Sequence, residues 1–196
     1  MDWNSRYSES GFAYGIEPND FLVSVSNEIP LGSCLSLAEG EGRNAVFLAK
    51  QGHIVTAVDS SAIGLQKAAQ LATDNNVSIN TVQCDLNDFN IINNQFDSII
   101  SIFCHIPVLT RQRIHKNVVA GLKPGGFFVL EAYTQKQISY GTGGPPTPEL
   151  TMSLVDLKKE LRGMEFLIAQ EIDRKVIEGK YHTGTGAVVQ VLARKN

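Results

Sequence analysis

The stretch "LSLAEGEGRN" at residues 35–44 sets a short apolar run against a loop of two glycines and two glutamates. A glycine-rich turn between a strand and a helix ordinarily holds phosphate at the helix N-terminus. Carboxylates oppose that use, because like charges ~4 Å apart repel by roughly 4 kcal/mol at an effective dielectric of about 20. Glu39 and Glu41 flank Gly40, where a pyrophosphate would approach the backbone. The stretch reads as a strand–loop–helix ligand site that favours a ligand with a positive end.

Outward from this stretch, apolar periodicity alternates between two kinds of element. Strands are expected at 33–38, 53–59, 79–85, 96–104 and 127–133, and helices at 43–52, 60–76 and 110–122. Gly52 is placed to stop the first helix, and serines open the second. Strands separated by helix-length segments imply a parallel, doubly wound sheet with helices on both faces. A further helix is expected at 153–163. Two β-rich runs, 164–177 and 186–195, joined by a Gly/Thr-rich turn, predict an antiparallel hairpin at one sheet edge. The expected fold is α/β: a doubly wound, mostly parallel, seven-stranded Rossmann-like sheet with a C-terminal hairpin. It forms one domain over 1–196, with a covering segment at 1–30 and a lid loop at 134–152.

Composition excludes several classes. The chain has 196 residues, 43% hydrophobic and 19% charged, with a formal net charge of −3. That fits a globular domain with a continuous core and gives no general attraction to nucleic acid or anionic lipid. The N-terminus lacks an apolar signal region, and no run approaches the length of a membrane span. Cys34, Cys84 and Cys104 fit neither a disulfide framework nor a metal-ligand pattern. A reduced, cytoplasmic protein is expected.

Sheets of this kind bind ligands beyond the carboxyl ends of their strands. "GEGRNA" (40–45) formally matches a dinucleotide fingerprint, with Asp59 at a suitable distance beyond it. The carboxylates favour S-adenosylmethionine instead, which carries an ammonium and a sulfonium and no phosphate. Gly40 and Gly42 let the backbone approach such a ligand. Asp59 can accept from both ribose hydroxyls, Asp85 can accept from the adenine amine, and Leu86 adds an apolar wall. Each acid also has a plainer use. Glu39 can bond the following helix start, Asp59 can cap helix 60–76, and Asp85 can form a turn.

These residues resemble the motifs of class I S-adenosylmethionine-dependent methyltransferases over nearly the whole chain. "LSLAEGEGRN" is similar to the first motif, "AVDSS" to the second, "CDLNDF" to the adenine-binding stretch, and "LKPGGFFVLE" to the segment leading into strand five. The opening "DWNSRYSESGFAYGIEPNDFL" resembles small bacterial enzymes of the tellurite-resistance and thiopurine S-methyltransferase-like groups. Trp3, Arg6, Tyr7, Phe12 and Tyr14 would there close over the donor. The resemblance implies a donor site of Tyr7, Tyr14, Ala38, Glu39, Gly40, Gly42, Asn44, Asp59, Ser60, Asp85, Leu86 and Ile102. The chain departs from the pattern at Ser36, where many members have Asp, and at Ala38, which replaces a glycine.

The acceptor is expected to be a small molecule. A soft nucleophile, such as a thiol or a selenium or tellurium species, needs no general base, whereas a hydroxyl or amine can need one. His105, directly after strand four, is the best-placed base, with Tyr140 and His182 as further candidates. His105 can equally be a strand-end histidine bonded to backbone. His53 and His115 read as structural or surface groups. "SIFCHIPVL" lacks the clamp used on flipped DNA bases and the carboxylates of a magnesium site. No nucleic-acid, membrane or metal partner is expected, and the chain is read as a monomer or weak dimer. An NAD(P)-dependent oxidoreductase and a noncatalytic adenosyl-ligand-binding protein remain as alternatives.

Overall fold

β1 (Ser33–Leu37) and β4 (Phe96–Ile102) lie side by side at the centre of the sheet and are almost wholly buried. Uninterrupted apolar runs such as these are what a sheet covered on both faces requires. The computed structural model describes residues 2–196. Its seven strands run in the order β3-β2-β1-β4-β5-β7-β6. β2 (Ile54–Asp59), β3 (Asn80–Gln83) and β5 (Leu122–Tyr133) extend the parallel region. β6 (Met164–Glu178) and β7 (His182–Lys195) form an antiparallel hairpin, with β7 against β5. Strand order reverses between β1 and β4, which places the switch point at the end of "LSLAEGEGRN".

Alternate strand residues feed two cores. On one face Leu35, Leu37, Ile99 and Phe128 pack with Ile114 and Val118 of α5 (Val108–Gly121) and Leu157 of α6 (Leu154–Glu160). On the other, Cys34, Val55 and Ile100 pack with helices α2 (Asp20–Val25), α3 (Arg43–Lys50) and α4 (Ala62–Asp74). Among the described residues, no helix is long and apolar enough to cross a membrane.

The expected elements are present with shifted ends, and two helices are additional. Trp3–Tyr7 (α1) has five residues, capped by Asp2, and α2 has six, capped by Asn19. Both are too short for hydrophobic periodicity to register. β5 starts at Leu122, because "KPGG" stays in the strand as an irregularity between the pairs Phe96–Leu122 and Ser98–Phe127. The hairpin turn is residues 179–181, and "HTGTG" belongs to β7, contrary to the Gly/Thr-rich turn expected there. Gly184 and Gly186 serve close packing: a Cβ on either would lie within 2.7 Å of Thr142 or Val176, respectively.

Candidate active site

The ends of β1, β2 and β4 and the chain after β3 surround a cavity of about 670 Å³. Ala38 leaves β1 in the left-handed region, φ 49°, which a glycine would adopt without strain. Gly40 and Gly42 follow at φ 66° and 96°. A Cβ on Gly40 would lie 2.6 Å from the Tyr7 hydroxyl, and one on Gly42 would lie 2.6 Å from the Ala68 Cα. Their missing side chains admit the N-terminal segment and α4, and neither residue lines the cavity. This corrects the expectation that they make room for a ligand. The other ten residues of the expected donor site all line it: Tyr7, Tyr14, Ala38, Glu39, Asn44, Asp59, Ser60, Asp85, Leu86 and Ile102.

The acids are placed unequally. Glu39 Oε1 accepts from the backbone N–H groups of Asn44 (3.1 Å) and Ala45 (2.9 Å) at the start of α3, and Oε2 accepts from the Ser36 hydroxyl. Burial raises its pKa, and these hydrogen bonds oppose the rise. Ser36 thus supports the Glu39 carboxylate. Glu41 accepts from the Ala13 N–H at 2.7 Å and from Lys67 Nζ at 2.8 Å. Lys67 compensates its charge, so the repulsion expected from two carboxylates reduces to Glu39. Asp59 accepts from the N–H groups of Gly40 and Ser61, both at 2.8 Å, and burial raises its pKa. Ser61, not Asp59, caps α4. Asp85 is exposed and forms the expected turn, Oδ1 accepting from the Asn87 N–H at 2.7 Å.

Beyond β4 the wall is aromatic. Phe103 takes φ 51°, a strained value for a bulky residue. It stacks on Tyr133 at 4.5 Å and meets His182 edge-on at 4.9 Å, while Tyr14 lies 4.6 Å from His182. His105 lines the cavity, but both its nitrogens are engaged. Nδ1 lies 2.8 Å from the Leu150 carbonyl, and Nε2 lies 3.3 Å from the Tyr133 N–H. Burial pulls its pKa down to about 4. The ring donates to one backbone group and accepts from the other, which corrects its reading as a general base. Tyr140 does not line the cavity; its hydroxyl donates to Asp173 at 2.9 Å on the surface, so it too is set aside. His182 is buried in the wall. Its Nδ1 has no hydrogen-bond partner and lies 3.7 Å from Glu178 Oε2. Burial lowers its pKa, with Glu178 opposing.

The cover is held by the hairpin tip. Lys180 donates its N–H to the Ala13 carbonyl at 2.9 Å, and the Tyr181 hydroxyl donates to Glu9 at 2.6 Å. Trp3, Arg6, Tyr7 and Tyr14 are thereby placed over the opening. Gln137 ties residues 142 and 143 to β7, and Gly143 to Pro146 close the other side. A buried network lies behind. Arg43, itself in the cavity wall, pairs with Glu178 at 2.6 Å, and Asn19 bridges Glu131 and Glu178, each at 2.9 Å.

Phe103, Tyr133, Arg43 and Glu178 were not anticipated. Phe103 and Tyr133 stand at strand ends, so the rule that finds Asp59 could have found them. Glu178 carries no such signal, because only antiparallel pairing folds the tip of β6 back to the site.

Residues 34–126 match the family model described as a methyltransferase domain. A ubiquinone biosynthesis O-methyltransferase from Rickettsia felis is 25% identical over 152 residues, covering 72% of this chain and 60% of that protein. The chain thus spans about three fifths of the length of that curated relative. TehB from Haemophilus influenzae superposes with a TM-score of 0.75 at 22% identity, covering 99% of this chain and 66% of that one. A structure solved in work on conversion of a disulfide bond into a thioacetal group during echinomycin biosynthesis gives a TM-score of 0.80. It has 16% identity and covers 99% and 91% of the two chains. Over residues 34–126 the chain is similar to the methyltransferase-domain family, and over nearly its whole length it shares the fold of these two solved structures.

Proposed function

We propose that the protein transfers a methyl group from S-adenosylmethionine to a small molecule whose reacting atom is soft, a thiol or a selenium or tellurium species. The observation that carries the donor half is Glu39. Its carboxylate already occupies the Asn44 and Ala45 N–H groups, the donors with which α3 would grip a pyrophosphate. This disfavours the NAD(P) reading on geometry as well as charge. The remaining acids fit an adenosyl ligand. A carboxylate offers about four acceptor sites, and Asp59 uses two of them on Gly40 and Ser61. Two are left for ribose hydroxyls. Asp85 keeps its Oδ2 for the adenine amine, and the volume suits a cofactor-sized ligand.

The sulfonium of S-adenosylmethionine supplies an already activated methyl group, so the protein has to align the reactants and exclude water. Residues 3–14 and the 143–146 loop exclude water. Phe103, Tyr14 and His182 form the wall against which the acceptor lies. His182 is the remaining candidate base, because burial keeps it neutral and His105 is engaged. A thiol with an ordinary pKa of about 8.5 needs little help from such a base.

A second reading, transfer to a hydroxyl, is favoured by the carboxylate of Glu178 standing 3.7 Å behind His182. The Rickettsia relative's name as an O-methyltransferase points the same way. Single-turnover transfer from labelled S-adenosylmethionine to thiols, selenide and phenols separates the two. The soft-acceptor reading expects thiols and selenide to react and His182→Ala to slow them modestly. Transfer to phenols alone, with a loss of roughly 10²–10⁴-fold in His182→Ala, would establish the hydroxyl reading.

A further inference from the structure

We propose that Tyr133 is a positioning residue for His182: its hydroxyl accepts from Nδ1–H and donates to Glu178, which presents Nε2 to the acceptor. The inference rests on the acceptor-side reading above. Two buried polar atoms without partners, Tyr133 Oη and His182 Nδ1, belong to rings that meet edge-on, 5.2 Å apart at 87°. Tyr133 has no exposed surface, and a buried hydroxyl left unpaired is costly. Its place is nonetheless tightly built. A Cβ on Gly144 would lie 2.8 Å from the ring and one on Gly186 would lie 3.2 Å from it, so two glycines make room for this phenol.

The third member is Glu178, with Oε2 3.7 Å from Nδ1. Against the cost of burial, His182 and Arg43 hold its carboxyl at about 2. It is therefore ionised and can only accept. After burial itself, Glu178 is the strongest influence raising the Tyr133 phenol. A chain from Nδ1–H to the phenol oxygen, and from the phenol O–H to the carboxylate, would satisfy both unpartnered atoms. Hydrogen bonds of this kind are often long before substrates bind. The groups facing His182 are Tyr14 of the cover, Phe103 and His105 after β4, Tyr133 of β5, Arg174 and Glu178 of β6, and Arg43 of α3. Only Glu178 is a carboxylate, so it sets which nitrogen carries the proton.

With Nδ1 protonated, Nε2 keeps its lone pair. The acceptor's S–H or O–H proton passes to Nε2, and the pair so freed forms the bond to the methyl carbon. The pair of the breaking carbon–sulfur bond stays on the donor sulfur and discharges its positive charge. His182 then releases the proton to solvent.

The test is the protonation pattern of His182, read by ring-nitrogen NMR in protein saturated with S-adenosylhomocysteine. Wild type should carry the proton on Nδ1 with Nε2 bare. Tyr133→Phe keeps the ring stacked on Phe103 and should move the population toward Nε2–H. Transfer to an alkyl thiol, mostly protonated at neutral pH, should fall measurably but no further than in His182→Ala, while affinity for S-adenosylhomocysteine is kept. A wild-type ring protonated on Nε2, or a Phe variant with the wild-type pattern and rate, would overturn the inference alone. Should the Phe variant fold poorly, the wild-type pattern still decides. Failure of S-adenosylhomocysteine to bind wild type would overturn the donor reading, and this inference with it.

Discussion

The two ends of the cavity are built on opposite terms. At the donor end, the carboxylates of Glu39 and Asp59 accept from four backbone N–H groups of the glycine loop and the helix starts, and Glu41 is paired with Lys67. At the acceptor end, Tyr133 Oη and His182 Nδ1 have no partner; a left-handed non-glycine backbone occurs at both ends, at Ala38 and at Phe103. A loop whose backbone donors are already bonded holds its shape before a ligand arrives, which suits one invariant ligand. Unsatisfied side-chain atoms persist where a second molecule is to be met. On the proposed function, stability and donor affinity belong to one end, and turnover to the other.

The largest effect expected at the donor end comes from Glu39→Ala. It leaves the Asn44 and Ala45 N–H groups unsatisfied, at roughly 1–3 kcal/mol each. Thermal unfolding should show a fall of several degrees together with loss of S-adenosylhomocysteine binding. A stable variant that still binds would break the claim that Glu39 organises this end.

The next pair sharpens the comparison within the donor end. Asp85→Ala removes an exposed acceptor and should weaken S-adenosylhomocysteine by about 1.5–3 kcal/mol in isothermal titration, with little change in melting temperature. Asp59→Ala should weaken binding and also destabilise, because Gly40 and Ser61 lose their acceptor. Equal melting temperatures for the two variants would contradict the bonding described for Asp59.

The smallest effect is at Ala38. Glycine relieves a left-handed alanine, which costs roughly 1–2 kcal/mol, but gives back roughly 0.5–1 kcal/mol of unfolded-state entropy. Ala38→Gly should raise the melting temperature slightly and leave binding unchanged. A clear loss of stability would show that the Ala38 methyl group packs more favourably than its backbone is strained.

The doubly wound sheet was legible in the sequence because both of its signals are local: apolar runs of strand length, and helix-length segments between them. The positions of Glu39, Asp59 and Asp85 were legible because one fold rule puts ligand groups after each strand. Their individual bonds were not. Nothing in "AEGEG" distinguishes a carboxylate turned to the α3 start from one turned to Lys67. Of the two readings of His105, the backbone-bonded one holds, and the choice was not legible because its partners come from distant chain, the end of β5 at Tyr133 and the segment after it at Leu150. Glu178 was invisible for a similar reason, since the hairpin delivers it from 135 residues beyond Arg43.

The central claim is that Glu39 makes the glycine loop a site for a donor without phosphate. Parallel isothermal titrations of wild type with S-adenosylhomocysteine and with NADP test it most directly. Saturable binding of S-adenosylhomocysteine, with no detectable binding of NADP, is the predicted result. Tight binding of NADP, with none of S-adenosylhomocysteine, would contradict the account.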